Sequence, residues 1–209
     1  MIPATVNKMP VFDVLSALQK HIRRGEEREA MHCACELGHT SKAFLTMLCN
    51  RLEVIAHEDI GLANPMAVIF TATAVEQARR AYDAKKPGKW RLIVGNAIRM
   101  LCRSPKSREG DHFQAAIGQA ALMDGTPPTI PDHAYCLHTR KGRRLHRGVK
   151  HFVEVAAQLV PQPKPDAYQA EAIAVWKRKH NESSDDDDAS GLPLAAKSGV
   201  RLEEDDARG

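Results

Sequence analysis

Apolar residues recur along this chain at three- and four-residue intervals, and no stretch sustains the two-residue alternation of a half-buried strand. That periodicity predicts an all-α fold. Val14, Leu15, Leu18 and Ile22 form the first stripe, which runs into Arg23-Arg24 and stops at Gly25, a helix C-terminus by its basic residues and its glycine. A second helix opens on Glu26, Glu27 and Glu29, carries Ala30, Met31, Ala34 and Leu37, and is expected to end before Gly38. Ser41 is placed to cap a third, with Phe44, Leu45, Leu48, Leu52 and Ile55 on one face. A fourth runs from Pro65 to about Ala84, where Lys85-Lys86-Pro87-Gly88 reads as a break. A fifth spans about Trp90 to Leu101, and a sixth follows Ser107 with Phe113, Ala116, Ile117 and Ala120, stopping by Gly125. Pro127, Pro128 and Pro131 make a stiff connector; a further apolar helix holds Val149, Phe152, Val153, Ala156, Leu159 and Val160, and a last one spans Asp166 to about Lys179.

The pattern is interrupted most sharply at Asn50 to Pro65, where His57, Glu58 and Asp59 stand between two apolar stripes. Gly61 suits a left-handed turn, Asn64 a side-chain cap and Pro65 the first helical position, so this is a helix–corner–helix junction. Three ionisable groups there are compatible with an acid–base centre, a metal site or a polar lock. Consecutive helical residues point about 100° apart, which disfavours a self-contained ligand set and favours the lock. Glu58 or Asp59 would then bond backbone donors or Arg51, with Arg51, Glu58, Asp59, Gly61, Asn64 and Pro65 as the structural corner.

Composition changes this picture little and charge changes it more. The 209 residues are 43% hydrophobic without a long apolar run, which suits one domain with an appendage and no membrane partner. Met1 to Lys8 lacks the pattern of a secretory leader, and five cysteines without a CxxC pair read as reduced thiols of a cytoplasmic protein. Residues 1–180 carry 27 Lys and Arg against 17 Asp and Glu, whereas residues 181–209 carry 3 against 9. A basic body thus bears an acidic tail, which by composition is disordered and is placed to compete for the body's cationic face.

The densest positive charge is Arg140, Lys141, Arg143, Arg144, Arg147 and Lys150, with no acid from His138 to His151. Spacings of three and four residues let part of this set share a helix face and meet a nucleic-acid backbone, and Gly142 and Gly148 are positioned to let the backbone approach a phosphate. The bland alternative is a solvated face. Asp132, His133, His138, His146 and His151, with Asp111, His112 or Glu58, are the residue types of a metal-dependent phosphodiesterase, but no two of them show a recognised ligand spacing, and no cofactor is expected. Lys106, Ser107 and Arg108 are an anion site or, more simply, the start of a helix capped by Ser107.

Three motifs in order resemble one family: Phe12-Asp13-Val14-Leu15-Ser16-Ala17-Leu18-Gln19-Lys20-His21-Ile22-Arg23, then Arg51 to Pro65 around Glu58-Asp59-Ile60-Gly61-Leu62, then Ser104-Pro105-Lys106-Ser107. They are similar to the C-terminal region of the RarA/MgsA family, clamp-loader-like AAA+ ATPases of replication-associated recombination, over about residues 12–125. The resemblance implies an all-α collar that makes oligomers, with ATP bound by a separate module. No GxxxxGK[ST] phosphate loop occurs in these residues, since Gly88-Lys89 is followed by Trp90, so the family's ATPase activity is not carried over. The segment from Pro131 to Val160 departs from the expected family ending. The organisation read from these features is an irregular 1–9, a family-like helical domain 10–125, a basic helical extension 126–180 packed on it, and the tail 181–209. The functional expectation is a non-enzymatic oligomerisation scaffold in DNA replication or recombination, a homo-oligomer that presents its basic face to DNA or a replication protein. The alternatives are the metal-dependent enzyme and an accessory subunit that docks on a separate AAA+ ATPase.

Overall fold

The computed structural model describes residues 3–164 and 166–182. Of the tail read as disordered, 181–209, the first two residues end the last helix and the acidic stretch from residue 183 on lies outside the described residues. Among those described the structure is helical, with no strand beyond an isolated bridge between Ala4 and Pro10, and no helix is long and apolar enough to cross a membrane. The chain divides into two units, the first ending at Pro127 and the second beginning at Pro128.

Five helices build the core of the first unit: α1 (Val11–Arg24), α2 (Glu27–Thr40), α3 (Lys42–Ile55), α4 (Pro65–Asp83) and α5 (Pro87–Arg103). α3 is the pivot, in contact with α1, α2, α4 and α5. Its buried residues Leu45, Leu48, Cys49, Leu52 and Ile55 fall at three- and four-residue steps, so one helix face meets its neighbours along its whole length. Burial pushes the Cys49 thiol, and that of Cys102 in α5, up to about 11, which leaves both as small apolar fillers.

One helix end differs from the sequence reading because of the packing of Trp90. α2 does not stop before Gly38 but continues to Thr40, and Gly38 is buried in it. A Cβ at Gly38 would lie 2.3 Å from the Trp90 ring, so this glycine makes room for an indole and does not end a helix. Lys85-Lys86-Pro87-Gly88 does break the fourth helix, which ends at Asp83, and α5 opens at Pro87, ahead of the expected Trp90, where a missing N–H costs nothing; it carries Trp90 onto α2. Gly25 does terminate α1, in the left-handed conformation expected of it.

After α5 the chain makes α6 (Glu109–Phe113), a wide π-helical stretch (Gln114–Gln119) and α7 (Ala120–Asp124), ended by left-handed Gly125. None of these residues is buried, and Phe113, Ile117, Leu122 and Met123 are all exposed.

The second unit is sparse. A 3-10 turn (Asp132–Ala134) precedes α8 (Arg140–Arg144) and α9 (Val149–His151), which widens into a π turn (Phe152–Ala156), and α10 (Gln169–Glu182) follows. Among its described residues only Gly142 and Val149 are buried, while Phe152 stacks edge-on against His138 and Trp176. The apolar helix expected to reach Val160 ends at Ala156, leaving Leu159 and Val160 exposed.

Candidate functional site

The corner is built by a helix that changes pitch. α3 does not stop at Ile55; it widens into a π turn over Ala56–Ile60, reverses at Gly61 with φ 49°, and passes through a 3-10 turn (Gly61–Ala63) to Asn64. The Asn64 side-chain carbonyl accepts the Ala67 N–H at 3.3 Å and caps α4, while its amide donates to Ser104 Oγ at 2.9 Å and ties the corner to the end of α5. Pro65 occupies the first turn of α4.

The pitch change decides where the ionisable residues go. Glu58 and Asp59 turn inward and His57 stays exposed, so the three do not converge. Asp59 is 1% exposed. Its carboxylate accepts from Arg23 Nε at 2.7 Å and Gln19 Nε2 at 3.0 Å, and Glu58 accepts from Arg23 Nη2 at 2.8 Å, Gln19 Nε2 at 3.0 Å and Arg108 Nη2 at 3.2 Å. Arg108 also donates to Asp111 at 2.5 Å, and the Ser107 N–H donates to the Asp59 carbonyl at 2.9 Å. The arrangement is an arginine fork across two neighbouring carboxylates, which satisfies a buried charge with directed donors.

Arg51, the sequence-nominated partner, reaches only the Gln19 side-chain carbonyl, at 3.3 Å. The residues that hold the carboxylates are Gln19, Arg23 and Arg108, between 35 and 50 positions away in the chain. From the sequence Arg23 reads as a basic residue at a helix end, and its place in the first family-like motif is the signal that points further.

Lys106, Ser107 and Arg108 are all engaged inside the first unit. Lys106 Nζ donates to the carbonyls of Leu101, Cys102 and Ser104 at 2.8–2.9 Å, closing the C-terminus of α5, and its burial there lowers its pKa. Ser107 Oγ accepts the Glu109 N–H.

Beside the corner lies an apolar groove of about 580 Å³ whose walls include His57, Ile60, Leu62, Ile69 and Phe113. It joins the start of α4 to α6. Leu62 is 89% exposed and Phe113 68%. Solvated apolar side chains that cluster around a concavity are the usual mark of a surface that another molecule covers.

In the second unit the basic residues part company. The expected shared helix face is interrupted: α8 is a single turn, His146 takes a left-handed φ of 54°, and the helix resumes only at Val149. Arg147 is spent internally, donating to both carboxylate oxygens of Asp132 at 2.7–2.8 Å and to the carbonyls of Asp132 and Tyr135. This clasp holds the Asp132 carboxyl below the usual carboxylate range. Lys141 lies over the Tyr135 ring at 3.9 Å, and Arg143 donates to the His138 carbonyl. Arg140, Arg144 and Lys150 are exposed with no carboxylate partner among the described residues. Gly142 is not a phosphate seat: a Cβ there would lie 2.0 Å from the Cys136 carbonyl oxygen, so the glycine serves a backbone crossing.

The His/Asp set of the enzymatic alternative is dispersed. Asp132 faces Arg147, His138 stacks on Phe152, and His151 Nδ1 is buried without a hydrogen bond. Among the described residues no three His, Cys, Asp or Glu side chains are grouped to hold a metal.

The profile of a family described as MgsA AAA+ ATPase C terminal matches residues 36–174. The chain is also 34% identical over 142 residues to Replication-associated recombination protein A of Bacillus subtilis (strain 168), an alignment that takes in 66% of this chain and 31% of that protein. The chain therefore spans less than a third of that relative's length. The family match runs from α2 into α10, so Pro131 to Val160, set apart in the sequence reading, falls inside it.

Proposed function

This chain belongs to the MgsA AAA+ ATPase C-terminal family, and from that premise we propose that it is a non-enzymatic helical scaffold that self-associates and serves DNA replication or recombination. The observation that carries the proposal is the apolar groove at the corner. The fork from Arg23 and Arg108 onto Glu58 and Asp59 holds one wall rigid from inside the unit, while Leu62, Ile69 and Phe113 are presented outward. A rigid support beneath solvated apolar groups is the anatomy of an interface core. The corner residues, in this reading, do mechanical work for assembly, and the exposed cations Arg140, Arg144 and Lys150 supply a face for a phosphate backbone or an acidic replication partner.

Light scattering on the full chain tests the assembly. A mass above that of one chain at micromolar concentration is expected, falling to one chain in Leu62→Asp/Phe113→Asp with the circular dichroism unchanged. A wild-type chain that is monomeric at tens of micromolar rejects self-association. If it is monomeric alone but captures a AAA+ ATPase from lysate through the same two residues, the surface docks a separate ATPase instead.

A further inference from the structure

The hairpin between α4 and α5 carries a second polar concavity, of about 340 Å³, lined by Gln77, Arg80, Ala81, Ala84, Lys86 and Lys89. Three of its six lining residues are cations and none is an acid. Two neighbouring charges are already paired: Arg79 is bonded to Asn50, Glu53 and Glu76, and Asp83 is paired with Lys42 at 2.8 Å. Arg80, Lys86 and Lys89 have no carboxylate partner among the described residues, and all three are exposed.

The backbone adds to the same potential. α5 begins here, and it is 17 residues long, with no side-chain cap at Lys86 and no acid in its first turn. Its positive end is thus uncompensated on the side of the pocket. The Gly88 Cα faces open space, with nothing within 4 Å of a Cβ placed there, so a ligand oxygen has access to the backbone.

We propose that this α4–α5 pocket binds phosphates of a nucleic-acid strand. Its donors are long, solvated side chains with no buried polar group among them, an arrangement that gains little from one small anion. A strand offers successive phosphates and releases counterions as each cation engages, which is how exposed cations acquire affinity. The pocket lies in the first unit and shares with the proposed function only the class of ligand, so either can fail without the other.

The test is fluorescence anisotropy of a labelled single-stranded oligonucleotide with the full 209-residue chain across a salt series. In Arg80→Gln/Lys86→Gln/Lys89→Gln the slope of log affinity against log salt should flatten by about two, at about 0.7 per lost contact, and affinity near 0.1 M salt should fall by about tenfold or more. An equal charge change at Lys8, Lys20 and Arg28, exposed cations elsewhere in the unit, should move both far less. An unchanged slope in the pocket variant, or an equal loss in the control, overturns the proposal. Saturable binding of inorganic pyrophosphate that the pocket variant abolishes, with the oligonucleotide slope intact, also overturns it by reassigning the site to a free phosphate ligand. Arg140→Gln/Arg144→Gln separates the two readings: loss only in the pocket variant supports this inference and removes DNA from the second unit, and loss only in the second unit overturns it.

Discussion

Both units contain an arginine that grips carboxylates, and the two grips differ in where they sit. In the first, Arg23 forks across Glu58 and Asp59 with the Asp59 side chain 2% exposed. In the second, Arg147 holds both oxygens of Asp132, whose side chain is 75% exposed. A buried carboxylate must be matched by donors or the fold fails, whereas a solvated one can lose its partner and turn to water. The first grip therefore fixes how α1, the corner and α6 are joined. The second closes a local loop in a unit that, among its described residues, buries only Gly142 and Val149. The same chemistry is architecture in one place and fastening in the other.

The sharpest way to break this contrast is to remove the buried carboxylate. Asp59→Ala removes the acceptor of Arg23 Nε and one of the two acceptors of Gln19 Nε2, leaving Glu58 to hold both donors alone, and for two lost charge-assisted hydrogen bonds a loss on the order of 3 kcal/mol is expected in urea unfolding, with groove-dependent assembly falling alongside. A variant that unfolds at the wild-type midpoint would show that the corner is no lock. Packing tests the same unit at smaller cost: Gly38→Ala forces a methyl into the Trp90 ring and should cost about 1 to 3 kcal/mol by the same measurement. The smallest global effect is expected from Arg147→Ala, which should raise hydrogen exchange across 132–147 while leaving exchange in α3 as it was. Because Asp132 has a folded pKa below its ordinary value, the clasp contributes at pH above that ordinary value and is lost as pH falls through the lowered one, so acid should mimic the substitution. Equal protection in the two proteins at neutral pH would show that the clasp holds nothing.

Much of the fold is legible in the order of residues because it is local. The stripes of α1 and α3, the left-handed Gly25, the Ser41 cap and the Asn64-Pro65 helix start each depend on neighbours within one or two turns. Gly38 is misleading for the opposite reason. It looks like punctuation, yet it answers to an indole 52 positions away, whereas Pro87 does punctuate, opening the helix that delivers that indole. Of the basic segment, the charge was legible but its use was not: Arg147 and Arg144 are alike in sequence, and only the fold sets one against Asp132 and leaves the other in water.

Sequence alone determined the all-α class, the family-like motifs and the existence of a polar corner, since periodicity, caps and motif order are written in residues close together. Tertiary structure alone decided which donors hold the corner. A single widened turn swings Glu58 and Asp59 toward Arg23 and Gln19 and puts His57 in solvent. Which donor meets a buried charge is settled by packing between helices distant in the chain, and neither propensity nor spacing carries that information.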